Sequence, residues 1–246
     1  MIETQIYAAR RILVVGAHAF DAEVIAGPMA FVAAAGGAEV TFLHLTMGEQ
    51  GHRCLAPALY AEQKRGEAGE AAALLGARWR GLDLPDAFLP DDEATALRVC
   101  DVIRELRPEV VVTHWKGSWH KDHRAACELT KNGVFYAALP TLERALPAHS
   151  PGLLLFGENW EDDEGFEPQH LVDVTPGFAP WRAAAEKYEL ARGLSSFPYM
   201  DYYASLYRLR GCLRGSTYAQ AFMTMSHSWN AGAGLFMPPV GSGAQR

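Results

Sequence analysis

The sequence predicts an α/β fold: a Rossmann-like, mainly parallel sheet with helices on both faces. The first observation is that near-continuous apolar runs, such as Ile12-Leu13-Val14-Val15, alternate with longer alanine-rich or charged segments. The second is size, because 246 residues, of which 49% are hydrophobic, can bury the core of one large α/β domain. We therefore expect a single domain over residues 1–236 and a flexible tail over residues 237–246.

Helix-ending signals divide the chain into alternating elements. The predicted strands cover residues 11–17, 39–46, 78–82, 109–114, 153–156 and 170–174. The predicted helices cover residues 23–35, 58–75, 94–106, 122–139 and 176–191. The first two helices end at Gly36-Gly37 and Gly76, and Pro108 ends the third because proline cannot continue a helix.

Charge and cysteine usage exclude several classes of protein. The chain carries 22 basic and 29 acidic residues, a formal charge of −7, and no basic stripe, so we expect no nucleic-acid partner. No apolar run reaches the roughly 18 residues of a membrane span, and the amino terminus has no leader pattern. The four cysteines form no Cys-x-x-Cys pair. These features favour a reduced, cytoplasmic protein.

Polar side chains follow three of the predicted strands. His18 and Asp21 follow the first, Glu49 follows the second, and His120 and His123 follow the strand at 109–114. Because ligands bind beyond the carboxyl ends of parallel strands, we expect these residues to meet at one edge of the sheet. Two imidazoles and one carboxylate are a protein ligand set of catalytic zinc, although iron, manganese and cobalt also accept them. The pattern therefore predicts a metal-dependent hydrolase.

Each of these residues also has a purely structural interpretation. Asp21 and Asp122 each stand near a helix start, where aspartate is a preferred cap. Glu23 is typical of an acid in a first helical turn, where the helix dipole favours negative charge. His18 and His120 could be turn or surface histidines, and we interpret the histidines outside the two clusters, His114 among them, as structural.

The motifs in this order resemble the LmbE-like, or PIG-L type, zinc deacetylases over nearly the whole chain. The matching segments are Ala17-His18-Ala19-Phe20-Asp21-Ala22-Glu23, Thr46-Met47-Gly48-Glu49-Gln50-Gly51, Arg65-Gly66-Glu67, Leu106-Arg107-Pro108-Glu109-Val110-Val111, His120-Lys121-Asp122-His123-Arg124, and the weaker Val172-Asp173-Val174-Thr175 and Tyr218-Ala219-Gln220-Ala221-Phe222. Each motif alone is weak, but the ordered set is specific.

The resemblance implies a role for each matched residue. His18, Asp21 and His123 would be the zinc ligands. His120 would polarise the amide carbonyl or stabilise its oxyanion, and Asp122 would orient a histidine and manage its proton. Glu49 and Arg65 would contact sugar hydroxyls.

One position departs from the family pattern. Members of the family usually carry Pro-Asp before the zinc-binding aspartate, and that first aspartate is the general base; here Ala19 and Phe20 stand there. A positioned base typically contributes about 10² to 10⁴ in rate, so its loss predicts a slower enzyme or a relocated base. Asp122 and Glu23 are the substitutes we favour. Phe20 could also form an apolar wall of the substrate pocket, and Trp119 could stack on a sugar ring.

The resemblance implies removal of an N-acetyl group from an amino sugar or its glycoside. Cleavage of a thiol-sugar conjugate and a pseudoenzyme that binds metal and sugar without turnover remain alternatives. A nucleotide-binding Rossmann domain is disfavoured because Gly16-Ala17-His18 replaces Gly-x-Gly-x-x-Gly. The tyrosine- and arginine-rich segment 197–214 either covers the pocket or forms a contact within a homo-oligomer.

Overall fold

The computed structural model describes residues 2–225 and shows strands alternating with helices. The helices are α1 (Ile2–Ala8), α2 (Asp21–Ala35), α3 (Pro57–Leu74), α4 (Glu93–Leu106), α5 (Lys121–Ala138), α6 (Thr175–Ala185) and α7 (Tyr199–Arg214). The strands are β1 (Arg11–Gly16), β2 (Glu39–His44), β3 (Ala77–Gly81), β4 (Val110–Thr113), β5 (Leu153–Gly157), β6 (His170–Asp173) and β7 (Ala219–Thr224).

The strands form one seven-stranded sheet in the order β3-β2-β1-β4-β5-β7-β6. Strands β1 to β5 pair in parallel, with Val14 opposite Phe42 on one side and Val112 on the other. Strand β7 runs antiparallel to both β5 and β6. The predicted α/β fold with a mainly parallel sheet is confirmed, with an antiparallel edge.

Helices cover both faces of the sheet because the central strands are apolar on both sides. Ile12 and Val14 belong to the core cluster that also contains residues of α2, α3, α6 and α7. Leu13 and Val15 face the opposite core cluster, which contains residues of α4 and α5. Since strand side chains alternate in direction, one apolar run supplies both cores.

The boundaries differ from the sequence prediction in a few places. The segment predicted as one helix over 176–191 is α6, which ends at Ala185, followed by a separate turn of π-helix over Leu190–Leu194. Helix α1, helix α7 and strand β7 were not predicted. The signal for α7 is present in the sequence, because Tyr203, Tyr207 and Gly211 recur every four residues and are its buried positions. The predicted tail at 237–246 lies outside the described residues.

A proline inside α2 explains how α7 is attached. Pro28 has no N–H, so the carbonyl of Val24 four residues earlier loses its helical partner. The hydroxyl of Tyr207 and the side-chain amide of Gln220 donate to that carbonyl instead. Gln220 also accepts a hydrogen bond from the Met29 N–H. Helix α7 and strand β7 therefore satisfy backbone groups that α2 leaves open.

Within residues 2–225, no helix is both long enough and apolar enough to cross a bilayer.

Candidate active site

A strained turn between β1 and α2 places the first pair of polar residues. The Asp21 N–H donates to the His18 carbonyl at 3.1 Å, and the His18 N–H donates to Asp21 Oδ2 at 2.7 Å. A Cβ on Gly16 would lie 2.8 Å from the Ala22 nitrogen, so this close approach requires glycine. Phe20 has a φ of 97°, which bulky residues rarely adopt and which costs roughly 1–3 kcal/mol. The turn thereby points His18 and Asp21 to the same side.

One oxygen of Asp21 lies beside three imidazoles. Asp21 Oδ2 is 3.0 Å from His18 Nδ1 and 3.3 Å from His123 Nε2. It is also 3.3 Å from Nε2 of His114, a residue that we had interpreted as structural. His18, Asp21 and His123 together form a group that could hold a metal ion, each offering one ligand atom. The structure thus brings the three predicted zinc ligands together.

The outer nitrogen of each candidate histidine ligand faces a carboxylate. His18 Nε2 lies 3.2 Å from Asp86 Oδ1 and 3.5 Å from Asp122 Oδ2. His123 Nδ1 lies 2.7 Å from Glu161 Oε2, a bent contact that is better described as an ion pair than as a hydrogen bond. Carboxylates in this position fix the ring and raise its basicity toward a metal.

These contacts shift the pKa values of the metal-free site. Burial would lower the pKa of His18, but Asp21, Asp122 and Asp86 together raise it well above the usual range. Burial likewise opposes the protonated form of His123, yet Asp21 and Glu161 raise its pKa to about 9. Burial would raise the pKa of Asp21, but the neighbouring imidazoles hold it well below its ordinary value. Without metal, protons therefore supply the positive charge that Asp21 requires.

His120 and Asp122 lie beside the same group. Burial and the charged His123 lower the pKa of His120, which favours its neutral form. Its Nδ1 accepts the Asp122 N–H at 3.2 Å, so the proton of the neutral ring resides on Nε2. His18, His120 and Asp122 are a second group with metal-ligand spacing. Among residues 2–225, nothing donates a well-formed hydrogen bond to either oxygen of the fully buried Asp122 carboxylate.

Several predicted residues lie away from these ligand atoms. Glu23 is fully buried, where it contacts His44 Nε2 at 3.1 Å and accepts the Tyr188 hydroxyl at 2.7 Å. Glu49 accepts the Asp86 N–H and lines a neighbouring depression together with Arg65. Arg65 pairs with Asp83 at 2.9 Å. Glu49 thus positions Asp86, and Glu23 joins α2 to its neighbours.

A cavity of about 190 Å³ opens onto the candidate ligands. Its apolar wall contains the buried ring of Phe20, which packs against Tyr188 and Tyr199 at centroid distances of 4.9 and 5.6 Å. Tyr199 and Tyr203 of α7 also line it, so the start of the segment 197–214 contributes to the pocket wall. Trp119 is 52% exposed and lies outside the cavity lining, and its ring centroid is 5.6 Å from that of His120.

Sequence reasoning missed three residues of the site. Asp86 follows β3 at the same sheet edge as His18, so the strand-end rule could have found it. Glu161 is in the polar stretch after β5, where we predicted no site residue. Lys64, next to the predicted Arg65, is 2% exposed and lines the cavity. Burial lowers the pKa of Lys64, and Asp21, Glu67, Glu23 and Asp86 partly oppose that effect.

The residues present fit a divalent transition metal. Asp21 Oδ2 and two imidazole nitrogens lie within 4.8 Å of one another, and each ring is oriented by an outer carboxylate. The orphaned Asp122 carboxylate and the orphaned Nδ1 of the buried His114 lie in the same region. This donor set suits zinc, iron, manganese or cobalt.

Comparison with known proteins identifies similar chains. The model of the PIG-L family, described as GlcNAc-PI de-N-acetylase, matches residues 13–134. A 1D-myo-inositol 2-acetamido-2-deoxy-alpha-D-glucopyranoside deacetylase of Geodermatophilus obscurus is 35% identical over 185 residues, which are 62% of this chain and 59% of the relative. A 4-oxalmesaconate hydratase of Pseudomonas putida is 32% identical over 174 residues, which are 66% of this chain and 67% of the relative.

The solved structures agree with this fold. The conserved protein TT1542 of Thermus thermophilus is 28% identical and superposes with a TM-score of 0.77, covering 87% of this chain and 93% of that one. The matched segment spans about three-fifths to two-thirds of the first two curated relatives. These relatives include both a hydrolase and a hydratase.

Proposed function

This chain belongs to the PIG-L, or LmbE-like, family, and we propose that it is a metal-dependent deacetylase of an amino sugar or amino-sugar conjugate. The observation that carries the proposal is the convergence of His18, Asp21 and His123 on one point beside the cavity. The deacetylase activity of the Geodermatophilus obscurus relative supports the same reaction class.

We assign the metal to His18 Nδ1, Asp21 Oδ2 and His123 Nε2. When bound, a divalent cation supplies a Lewis acid that activates water and polarises an acyl oxygen. Asp86 and Glu161 hold the two rings in the orientation that presents these nitrogens. Zinc is the metal that we propose, because two imidazoles and one carboxylate form a common catalytic zinc set.

His120 is the group that we assign to the acyl oxygen. Its Nδ1 is occupied as an acceptor, so its Nε2–H is a donor, and the ring lines the cavity. A neutral imidazole donor of this kind stabilises negative charge that develops on the oxygen of a tetrahedral species. The lowered pKa of His120 keeps the ring neutral near neutral pH, and the hydrogen bond from the Asp122 N–H to Nδ1 selects the required tautomer.

The missing general base has a structural replacement. Phe20 cannot accept a proton, and Glu23 is committed to His44 and Tyr188. Asp86 lines the cavity, whereas Asp122 is fully buried behind His18. We therefore assign proton acceptance to Asp86, the carboxylate that both lines the cavity and faces His18, with Asp122 supporting His18 from the other side. The Asp86 carboxylate is held by the Gln50 and Ala87 amides at 2.7 and 2.8 Å.

The substrate is expected to enter beside aromatic side chains. Phe20 forms an apolar wall, and the exposed Trp119 offers a flat face for a sugar ring at the cavity edge. Glu49 and Arg65 contact the substrate only if it extends into the neighbouring depression. An amino sugar with a further group attached would reach both regions.

Phe20→Asp tests the assignment directly. Aspartate tolerates the left-handed backbone better than phenylalanine and restores a carboxylate at the usual base position. We expect the zinc-loaded Phe20→Asp variant to release amine from N-acetylglucosamine conjugates at least about tenfold faster than wild type. Phe20→Asn is the matched control, because it changes the backbone preference and the wall equally without supplying a base.

Two results would contradict the proposal. Equal rates for Phe20→Asp and Phe20→Asn would show that turnover is not limited by the missing base. Stoichiometric zinc without amine release from wild type or either variant, over a broad panel of N-acetyl amino sugars, would favour a protein that binds without turnover.

A second candidate function is hydration of an unsaturated carboxylate. Two observations favour it: Phe20 removes the base that amide cleavage uses, and the Pseudomonas putida relative is a hydratase. A conjugated dicarboxylate offered to the zinc-loaded protein would lose its ultraviolet absorbance if water adds across the double bond. Amine release without such a loss would favour the deacetylase instead.

A further inference from the structure

Lys64 is a buried cation with unused hydrogen-bond capacity. Its side chain is 2% exposed, and Nζ donates to the Ala19 carbonyl at 2.8 Å. Among residues 2–225, no carboxylate oxygen lies within ion-pair distance of this nitrogen. An ammonium group has three donors, and a buried charge without a partner is costly. The cavity next to Nζ is therefore where a partner would bind.

Tyr60 provides a second donor on the same face of α3. It precedes Lys64 by four residues, so the two side chains are neighbours on the helix. Its hydroxyl is buried and has no hydrogen-bond partner among the described residues. Tyr60 and Lys64 both line the cavity that holds His18 and Asp21. The Tyr60 hydroxyl and the Lys64 ammonium therefore both have hydrogen-bond donors available to a ligand in this cavity.

We propose that Lys64 and Tyr60 form a carboxylate-binding subsite beside the candidate metal ligands. An ammonium and a phenol can each donate to one oxygen of a carboxylate, and a charge-assisted bond is stronger than one to a sugar hydroxyl. The ring centroids of Tyr60 and Tyr188 lie 5.6 and 5.5 Å from Nζ, within the range of a cation–π contact, and these contacts use none of its N–H donors on a hydrogen-bond acceptor. The ligand of this cavity therefore carries a carboxylate, whichever reaction the metal centre performs.

Binding of simple carboxylates to the metal-free protein tests the subsite independently of activity. Propionate and its neutral isostere propionamide would be titrated into chelator-treated wild type by ligand-observed NMR. We expect propionate to bind at least tenfold more tightly than propionamide. Lys64→Met should weaken propionate binding by about ten- to a hundredfold, and Tyr60→Phe by about three- to tenfold.

Lys187→Met is the matched control, since Lys187 is a half-buried lysine that pairs with Glu70 outside the cavity lining. It removes the same charge and should leave propionate binding unchanged. Equal binding of propionate and propionamide, or wild-type propionate affinity in Lys64→Met, would overturn the proposal. Tyr60→Phe breaks no bond within the described protein, so it decides the question if Lys64→Met does not fold.

A second experiment distinguishes the source of the carboxylate and rests on the proposed function. Where the substrate supplies it, Lys64→Met lowers kcat/KM for an N-acetyl amino-sugar acid by at least tenfold and leaves its methyl ester unchanged. Where the released acetate supplies the carboxylate, Lys64→Met is no longer inhibited by acetate. Its kcat/KM then changes equally for the amino-sugar acid and for the methyl ester. If folded, zinc-loaded Lys64→Met keeps both the wild-type kcat/KM for the acid and the wild-type inhibition by acetate, the carboxylate subsite is contradicted.

Discussion

Proton competition at His123 predicts that metal affinity depends steeply on pH. The ring must be neutral to bind a metal, but in the metal-free protein its pKa is raised to about 9. At pH 7 a group with that pKa is protonated in about 99 of 100 molecules, so metal binding is weakened about a hundredfold, or about 2.7 kcal/mol. The penalty diminishes as pH rises toward 9, because the proton then leaves without metal.

His18 acts in the same direction, since its pKa is also raised well above the usual range. Between pH 6 and 8 we therefore expect zinc affinity to rise by about tenfold per pH unit from His123, and by up to about a hundredfold per pH unit with His18. The assay is a competitive titration with a chelator whose own protonation is known, with proton release measured by calorimetry in two buffers.

Glu161→Gln identifies the origin of this dependence. Glu161 Oε2 lies 2.7 Å from His123 Nδ1, so its neutral amide should lower the pKa of His123 and move the dependence to lower pH. At pH values high enough for His123 to be neutral in both proteins, Glu161→Gln should bind zinc about 10- to 100-fold more weakly than wild type. Glu164→Gln is the matched control, because it neutralises a nearby exposed acid. A zinc affinity that stays constant from pH 6 to 8, or identical profiles for Glu161→Gln and wild type, would refute the reasoning.

Three further predictions concern the proton acceptor, a helix contact and a buried cation. Asp86→Asn should lower turnover about a hundredfold at a zinc concentration that saturates the variant, because Asp86 also orients His18; the exposed Asp83→Asn should not, and equal turnover of the two at saturating zinc would reject Asp86 as proton acceptor. Gly177→Ala places a Cβ 2.0 Å from the Pro28 carbonyl oxygen, so α2 and α6 must separate, and urea unfolding should show a loss of at least about 2 kcal/mol. Arg104 donates to five backbone carbonyls, so Arg104→Lys should keep the charge yet destabilise by about 2–4 kcal/mol; an unchanged unfolding midpoint would show that those bonds contribute little.

Local sequence signals were sufficient for most of the fold. Four of the parallel strands, β1, β2, β4 and β5, are short apolar runs that are largely buried on both faces, and the helices before β2, β3 and β4 end at glycine or proline. Composition therefore identifies most of the sheet. The edge strand β7 and helix α7 were missed. Their positions depend on Pro28, whose missing N–H gives Tyr207 and Gln220 a carbonyl to bind.

The sequence by itself predicted His18, Asp21 and His123 as metal ligands, and it determined the edge of the sheet at which they meet. His18 and Asp21 are joined by one tight turn, and His123 reaches them because β1 and β4 are adjacent parallel strands. Only the tertiary structure decided which groups surround them. Asp86, Glu161 and Lys64 come from three separate segments, and their ion pairs, burial and proton affinities depend on distances that no local pattern encodes.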